Sequence, residues 1–141
     1  MLKETVISLT EEQLRLLREE SRRRYPVEAC ALLFGDFIRG DAVVKKIVLT
    51  PNILESPMRF EVAPEAVYHA FEQADRDGLE FIGLFHSHPA PPKPSSTDIK
   101  FMRLWEEAVW LIFSSVNGEF AAFQMIDGKI SEITIKPCRA R

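Results

Sequence analysis

Only two cysteines, Cys30 and Cys138, occur in 141 residues, too few for a disulfide framework. That usage is expected of a chain kept in a reducing compartment, so a cytoplasmic location is expected. No run approaches the ~18 consecutive apolar residues of a membrane span, so a membrane is not an expected partner. The opening residues MLKETVISLT lack the apolar centre of an export signal. Basic residues never accumulate beyond Arg22 to Arg24, and the formal net charge is −3, so nucleic acid is not expected either. Side-chain amides are scarce: Asn52, Asn117, Gln13, Gln73 and Gln124 are all there are, against many arginines and glutamates, a leaning toward heat-adapted composition. Repeats, low-complexity tracts and linkers are absent. Residues 1–141 therefore read as a single domain, long enough to bury a core.

What is present has the pattern of a mixed fold. A short strand is expected over Thr5 to Ser8. Thr10-Glu11-Glu12-Gln13 reads as a capping box opening a helix that runs to Arg24 and stops at Tyr25-Pro26. Cys30 to Phe34 is an apolar run of strand length closed by Gly35, Ala42 to Thr50 a second strand, and Arg59 to Val62 a short third. Pro64 suits the first turn of a helix, and apolar residues at 67, 70, 71 and 74 continue it as a stripe to Asp77, with Gly78 at its end. Phe81 to His88 reads as a central strand, with Ile82, Leu84, His86 and His88 on one face and Phe81, Gly83, Phe85 and Ser87 on the other. A helix is predicted over Ser95 to Glu107. Strands follow at Val109 to Ser115, Phe120 to Ile126 and Ile130 to Ile135, turning at Asn117-Gly118 and Asp127-Gly128. The order implies helices packed on a largely antiparallel or mixed sheet, an α+β or α/β fold.

The chemistry concentrates in FHSHPAPPKPSSTD, Phe85 to Asp98. Residues two apart on a strand point the same way, about 7 Å apart, so His86 and His88 can grip one ion. Catalytic zinc takes three protein ligands from nitrogen or carboxylate oxygen and keeps a fourth position for water. The proline-rich loop Pro89 to Pro94 is stiff, and it delivers Asp98 to the start of the next helix. His86, His88 and Asp98 thus read as a preorganised site for one zinc. Plainer readings exist for each part. A histidine on an apolar strand is commonly just packed, Ser95-x-x-Asp98 is also a capping box, and a proline loop can be mere surface. Hydrolysis would need a proton carrier besides the metal. Glu28 stands at the mouth of the apolar strand, where partial desolvation would raise its pKa and suit it to that work. His-x-His also occurs in barrel amidohydrolases, which need roughly 200 residues or more, and in cupins, which want a further histidine. The remaining one, His69, lies off its helix's apolar stripe and reads as solvated. Cys30 reads as a small buried residue, and Trp105 and Trp110 as core or interface anchors.

His86-Ser87-His88-Pro89 with Ser95-x-x-Asp98, preceded by Pro26-x-Glu28 and Leu32-Leu33-x-Gly35, resembles the JAMM (MPN-plus) zinc metalloproteases. Asn52, Arg59-Phe60, Pro64-Glu65 and Gly83 extend the resemblance over most of the chain. The loop from Ala90 to Pro94 is one residue shorter than the family's six; keeping six would put Ile99, a hydrocarbon, in the ligand position, so Asp98 and Ser95 are retained. The resemblance implies an MPN-type sheet wrapped by helices, related to the cytidine deaminase architecture. It implies one zinc on His86, His88 and Asp98 plus a water, Glu28 as general acid and base, and Ser95 as donor to the oxyanion. It implies hydrolysis of the bond after the diglycine tail of a ubiquitin-like or sulfur-carrier protein, and a minimal prokaryotic form without a long insertion. A second copy of the chain is the expected partner in any assembly. The competing expectations are a catalytically silent scaffold of the same fold and another small zinc hydrolase. The metal content of the pure protein separates scaffold from enzyme.

Overall fold

The structure, a computed structural model, describes residues 6–54 and 60–139. Its elements follow in the order β1 (Val6–Thr10), α1 (Glu11–Arg24), β2 (Cys30–Ile38), β3 (Asp41–Thr50), α2 (Pro64–Arg76), β4 (Glu80–His88), α3 (Ser96–Leu104), β5 (Val109–Ser114), β6 (Phe120–Ile126) and β7 (Lys129–Cys138). The strands close into one ring in the order β1-β3-β2-β4-β5-β6-β7. The β1–β3, β4–β5 and β1–β7 pairs are parallel, and the rest are antiparallel. The fold is thus mixed α and β, as expected. Thr5 and Arg59 lie outside the described residues.

Both faces of the sheet are apolar because each covers a core. All seven strands send residues into one cluster, among them Ile7, Leu33, Val44, Phe85, Leu111, Ala122 and Ile133, and α1 adds Leu14 and Leu17. The opposite face carries Leu32, Phe34, Leu84, Trp110 and Ile112, covered by Ala70 and Ala74 of α2 and Met102 of α3. The Thr10 hydroxyl accepts from the Gln13 amide and the Gln13 side chain from Thr10, so α1 starts on the expected capping box. Pro64 opens α2. Asp127 and Gly128, at φ 51° and 75°, make the tight β6–β7 turn.

Four expectations need correction. Gly35 does not close β2, which runs on to Ile38. The glycine instead permits a close approach, since a Cβ there would lie 1.9 Å from the Val43 carbonyl oxygen. The expected strand near residues 60–62 is reduced to an isolated bridge between Asn52 and Val62. α3 ends at Leu104, three residues before Glu107. Glu106 and Glu107 would oppose the helix dipole at its C-terminus, and Glu107 turns the chain at φ 78°. Finally, Ile82 does not share a face with Leu84, His86 and His88. Leu33 pairs with Gly83 but Phe34 with Phe81, so Ile82 is one extra residue in β4. This bulge sends Ile82 into the α1-side core with Phe85, while Phe81 packs with Leu84.

Candidate metal centre

β4 is central, hydrogen-bonded to β2 on one side and β5 on the other. It fits there because Gly83 has no side chain: a Cβ would stand 1.8 Å from the Val109 carbonyl oxygen. Beyond the bulge the alternation is regular, and His86 and His88 emerge on the face that α2 and α3 cover. Their relative exposures are 0% and 6%. The loop Pro89 to Pro94 then returns the chain, and the His88 ring lies 3.1 Å (Nε2) from the Lys93 carbonyl oxygen.

α3 brings in the third member. The Ser95 hydroxyl accepts from the Asp98 amide at 3.0 Å, and the Ser95 amide donates to Asp98 Oδ2 at 2.9 Å. The same Oδ2 lies 3.0 Å from His86 Nε2. The capping-box and metal-ligand readings of Ser95-x-x-Asp98 are therefore not alternatives in space, since the cap itself turns the carboxylate toward the histidines. One nitrogen from each of His86 and His88 and one oxygen from Asp98 lie within 4.8 Å of one another. Tetrahedral ligands about 2.1 Å from zinc are separated by about 3.4 Å, so a small contraction would close the set. The three side chains are buried together, and no other such group occurs among the described residues. Ile99 packs instead against the α2–α3 core, which accords with the shortened loop.

Unpaired polar atoms gather at the site. His86 Nδ1, His88 Nδ1, Glu28 Oε1 and the indole Nε1 of Trp110 are buried without a hydrogen-bond partner among the described residues. Orphans of this kind are costly, and a cluster of them asks for a ligand. Burial and the neighbouring His86 lower the pKa of His88, which favours the neutral ring that metals bind. Burial would raise Asp98, but His86 and the Ser95 hydrogen bonds hold it below its usual value, as a carboxylate. Two imidazoles and one carboxylate are a donor set for catalytic zinc.

Glu28 lies just before β2 and is 3% exposed. Burial, with the Asp98 charge adding to it, raises its pKa to about 8. Two residues that sequence reading did not assign to this work hold its backbone. The Ala29 amide donates to Ser87 Oγ at 3.0 Å, and the Ser87 amide donates to the Ala29 carbonyl at 3.0 Å. The Asn52 side-chain amide donates to the Glu28 carbonyl at 3.2 Å. Ser87, between the two histidines, thus ties the Glu28 segment to β4. A serine set between two histidines in a mostly buried strand was the available signal. Phe60, noted only as part of the resemblance, had been given no role: its ring stacks on His86 at 4.7 Å, while Trp110 meets His86 edge-on at 5.8 Å. Of the remaining residues, Cys30 and Trp110 are buried, whereas Trp105 is 39% exposed. Neither cysteine forms a disulfide among the described residues, and His69 is on the surface.

A ring-closed mixed sheet with this buried triad and a neighbouring neutral-range carboxyl defines a class of domain, and comparison with known proteins agrees. The chain belongs to the prokaryotic homologues of the JAB domain, a branch of the JAMM/MPN-plus family, whose family model matches residues 10–126. It is 41% identical over 111 residues to a desampylase of Pyrococcus furiosus, covering 77% of this chain and 75% of that one. It is 30% identical over 121 residues to a desampylase of Haloferax volcanii, covering 84% of each. A probable TtuB-protein conjugate cleaving protease of Thermus thermophilus matches at 36% over 66 residues, 45% of each chain. The solution structure of protein DSY2949 from Desulfitobacterium hafniense superposes with a TM-score of 0.85 at 28% identity, covering 95% of this chain and 94% of that one.

Proposed function

We propose that this protein is a zinc-dependent isopeptidase or peptidase that hydrolyses the bond after the C-terminal diglycine of a ubiquitin-like or sulfur-carrier protein. The observation that carries the reading is the buried His86, His88 and Asp98 cluster with Glu28 held protonatable beside it. The names of the relatives, two desampylases and a conjugate-cleaving protease, supply the substrate class. His86, His88 and Asp98 would hold the ion. When bound, zinc supplies a Lewis acid for the scissile carbonyl and lowers the pKa of water toward ~7.

The chain's own groups perform the rest. Glu28 takes a proton from the attacking water and returns it to the leaving amine, work suited to a carboxyl whose pKa lies near the working pH. Water adds across the C–N bond, so the products are a carboxylate on the modifier and a free amine on the target. The Ser95 hydroxyl accepts from Asp98, leaving its own hydrogen to donate to the oxygen that gains charge. Ser87 ties the Glu28 segment to β4, and Asn52, just after β3, holds the Glu28 carbonyl.

The test is a panel of diglycine-ended ubiquitin-fold proteins, each joined to a reporter by a peptide or a lysine isopeptide bond, with and without chelator. Cleavage immediately after the second glycine, lost on chelation and restored by zinc, is expected. Chelator-insensitive cleavage, or none across the panel from protein carrying one zinc per chain, overturns the reading.

A further inference from the structure

Beside the metal centre a cavity of about 160 Å³ opens between α2, α3 and the sheet. Phe60, Val67, Leu84, Phe101, Trp105 and Trp110 line it, and Glu61 is its one charged lining residue. Two of its walls are also neighbours of the centre. Phe60 stacks on His86 at 4.7 Å, and Trp110 stands 5.8 Å from the same ring. At its mouth Phe101 and Trp105 are 44% and 39% exposed, large apolar surface left open within reach of the chemistry. Nothing in the catalytic reading uses this cavity.

Its position and size indicate an occupant. The scissile carbonyl must lie at His86, His88 and Asp98. The near walls of the cavity begin about one and a half residues of extended chain from the His86 ring, at ~3.3 Å per residue. Glycine at the last two positions of the tail places no side chain in between. The first side chain to reach the cavity belongs to the third residue before the cut bond. The volume accommodates one side chain, not a folded element, and the lining rewards an apolar one. We infer that this cavity is a subsite for an apolar side chain, leucine-like in size, at the third position before the cleaved bond. The inference rests on the proposed cleavage after diglycine and adds a second requirement to it. Specificity would then combine exclusion at the two glycines with attraction one residue further upstream.

The experiment has two readouts. A ubiquitin-fold protein is given the tail Xaa-Gly-Gly, with Xaa Leu, Ala or Asp, fused to a fluorescent reporter, and kcat/KM is measured. Leu should exceed Ala by about tenfold, with Asp slower still, since apolar pockets discriminate by that order for a few carbons. In Val67→Phe, which fills the cavity, and in Trp105→Ala, which removes a wall of its mouth, the Leu-to-Ala ratio should fall to within about twofold of unity. In parallel, the Kd of acetylated Ala-Xaa-Gly-Gly tetrapeptides is measured on zinc-loaded Glu28→Gln protein by tryptophan fluorescence, with the same order expected. Equal kcat/KM and equal Kd for Leu and Ala would overturn the subsite. So would a preference that survives in both cavity variants, or one that follows the residue after the bond. Absence of cleavage from every fusion, with the Leu preference in Kd intact, would instead sink the proposed reaction and leave the subsite standing.

Discussion

Glu28 owes its properties to where its side chain sits, and both can be measured apart. Glu28→Gln should keep zinc yet lose about 10²–10⁴-fold in kcat, the usual worth of a general acid-base. Near-normal kcat with zinc bound would exclude the role. The raised pKa also has a thermodynamic signature in metal-free protein. The folded state holds its proton up to about pH 8, whereas the unfolded chain releases it near its model value of 4.5. Between those values the native state binds more protons, so wild-type stability falls relative to Glu28→Gln as pH rises. The difference should change by up to roughly 1.4 kcal/mol per pH unit and level off outside the window. Denaturant titrations of both metal-free proteins from pH 4 to 9 would reveal it, and a flat difference would mean that Glu28 is not desolvated. Ser95 is more ambiguous because it caps α3 as well. Ser95→Ala should cost about 1 kcal/mol of stability. Ser95→Asn, an equally good cap, should recover the stability, so activity still missing in that variant would belong to the hydroxyl's chemistry.

At the scale of elements, β4 is the member on which the centre depends. Gly83→Ala would drive a methyl into the Val109 carbonyl on the neighbouring strand, where backbone cannot step aside. A loss of at least about 3 kcal/mol is expected, the severe end of overpacking, and unchanged stability in denaturant would refute the contact. Much of this element was readable beforehand: the apolar run, the histidine spacing, the stiff loop and the box at Ser95 all describe local preferences. The bulge at Ile82 was not readable, because the extra residue is defined only against Leu33 and Phe34 on β2. The same reason hid the Ser87–Ala29 pair, which joins residues 58 apart in sequence. It hid Phe60 as well, whose ring meets His86 from a segment with almost no regular structure of its own. α3 was expected to reach Glu107 but stops at Leu104, where the acidic pair Glu106 and Glu107 would oppose its dipole.

The molecule as a whole should respond to the ion. Since zinc would bind a site assembled from β4 and α3, it binds the folded state and not the unfolded one, and a hundredfold excess over Kd should add about 2.7 kcal/mol. Thermal unfolding with and without chelator measures this. His86→Ala and Asp98→Ala should both abolish zinc uptake and erase the shift; full zinc content in either would refute the ligand assignment. The closed sheet has a consequence of another kind, in the order of synthesis. β1 is made before the other six described strands, yet Val6 pairs with Thr134 and Thr10 with Cys138 on β7, the last of the seven. A nascent chain still lacking β7 therefore carries two open strand edges, on β1 and on β6, each able to pair with a neighbouring polypeptide. The ring can shut only after β7 has left the ribosome. Until then the growing chain depends on keeping its distance from its neighbours, or on a chaperone that covers those edges.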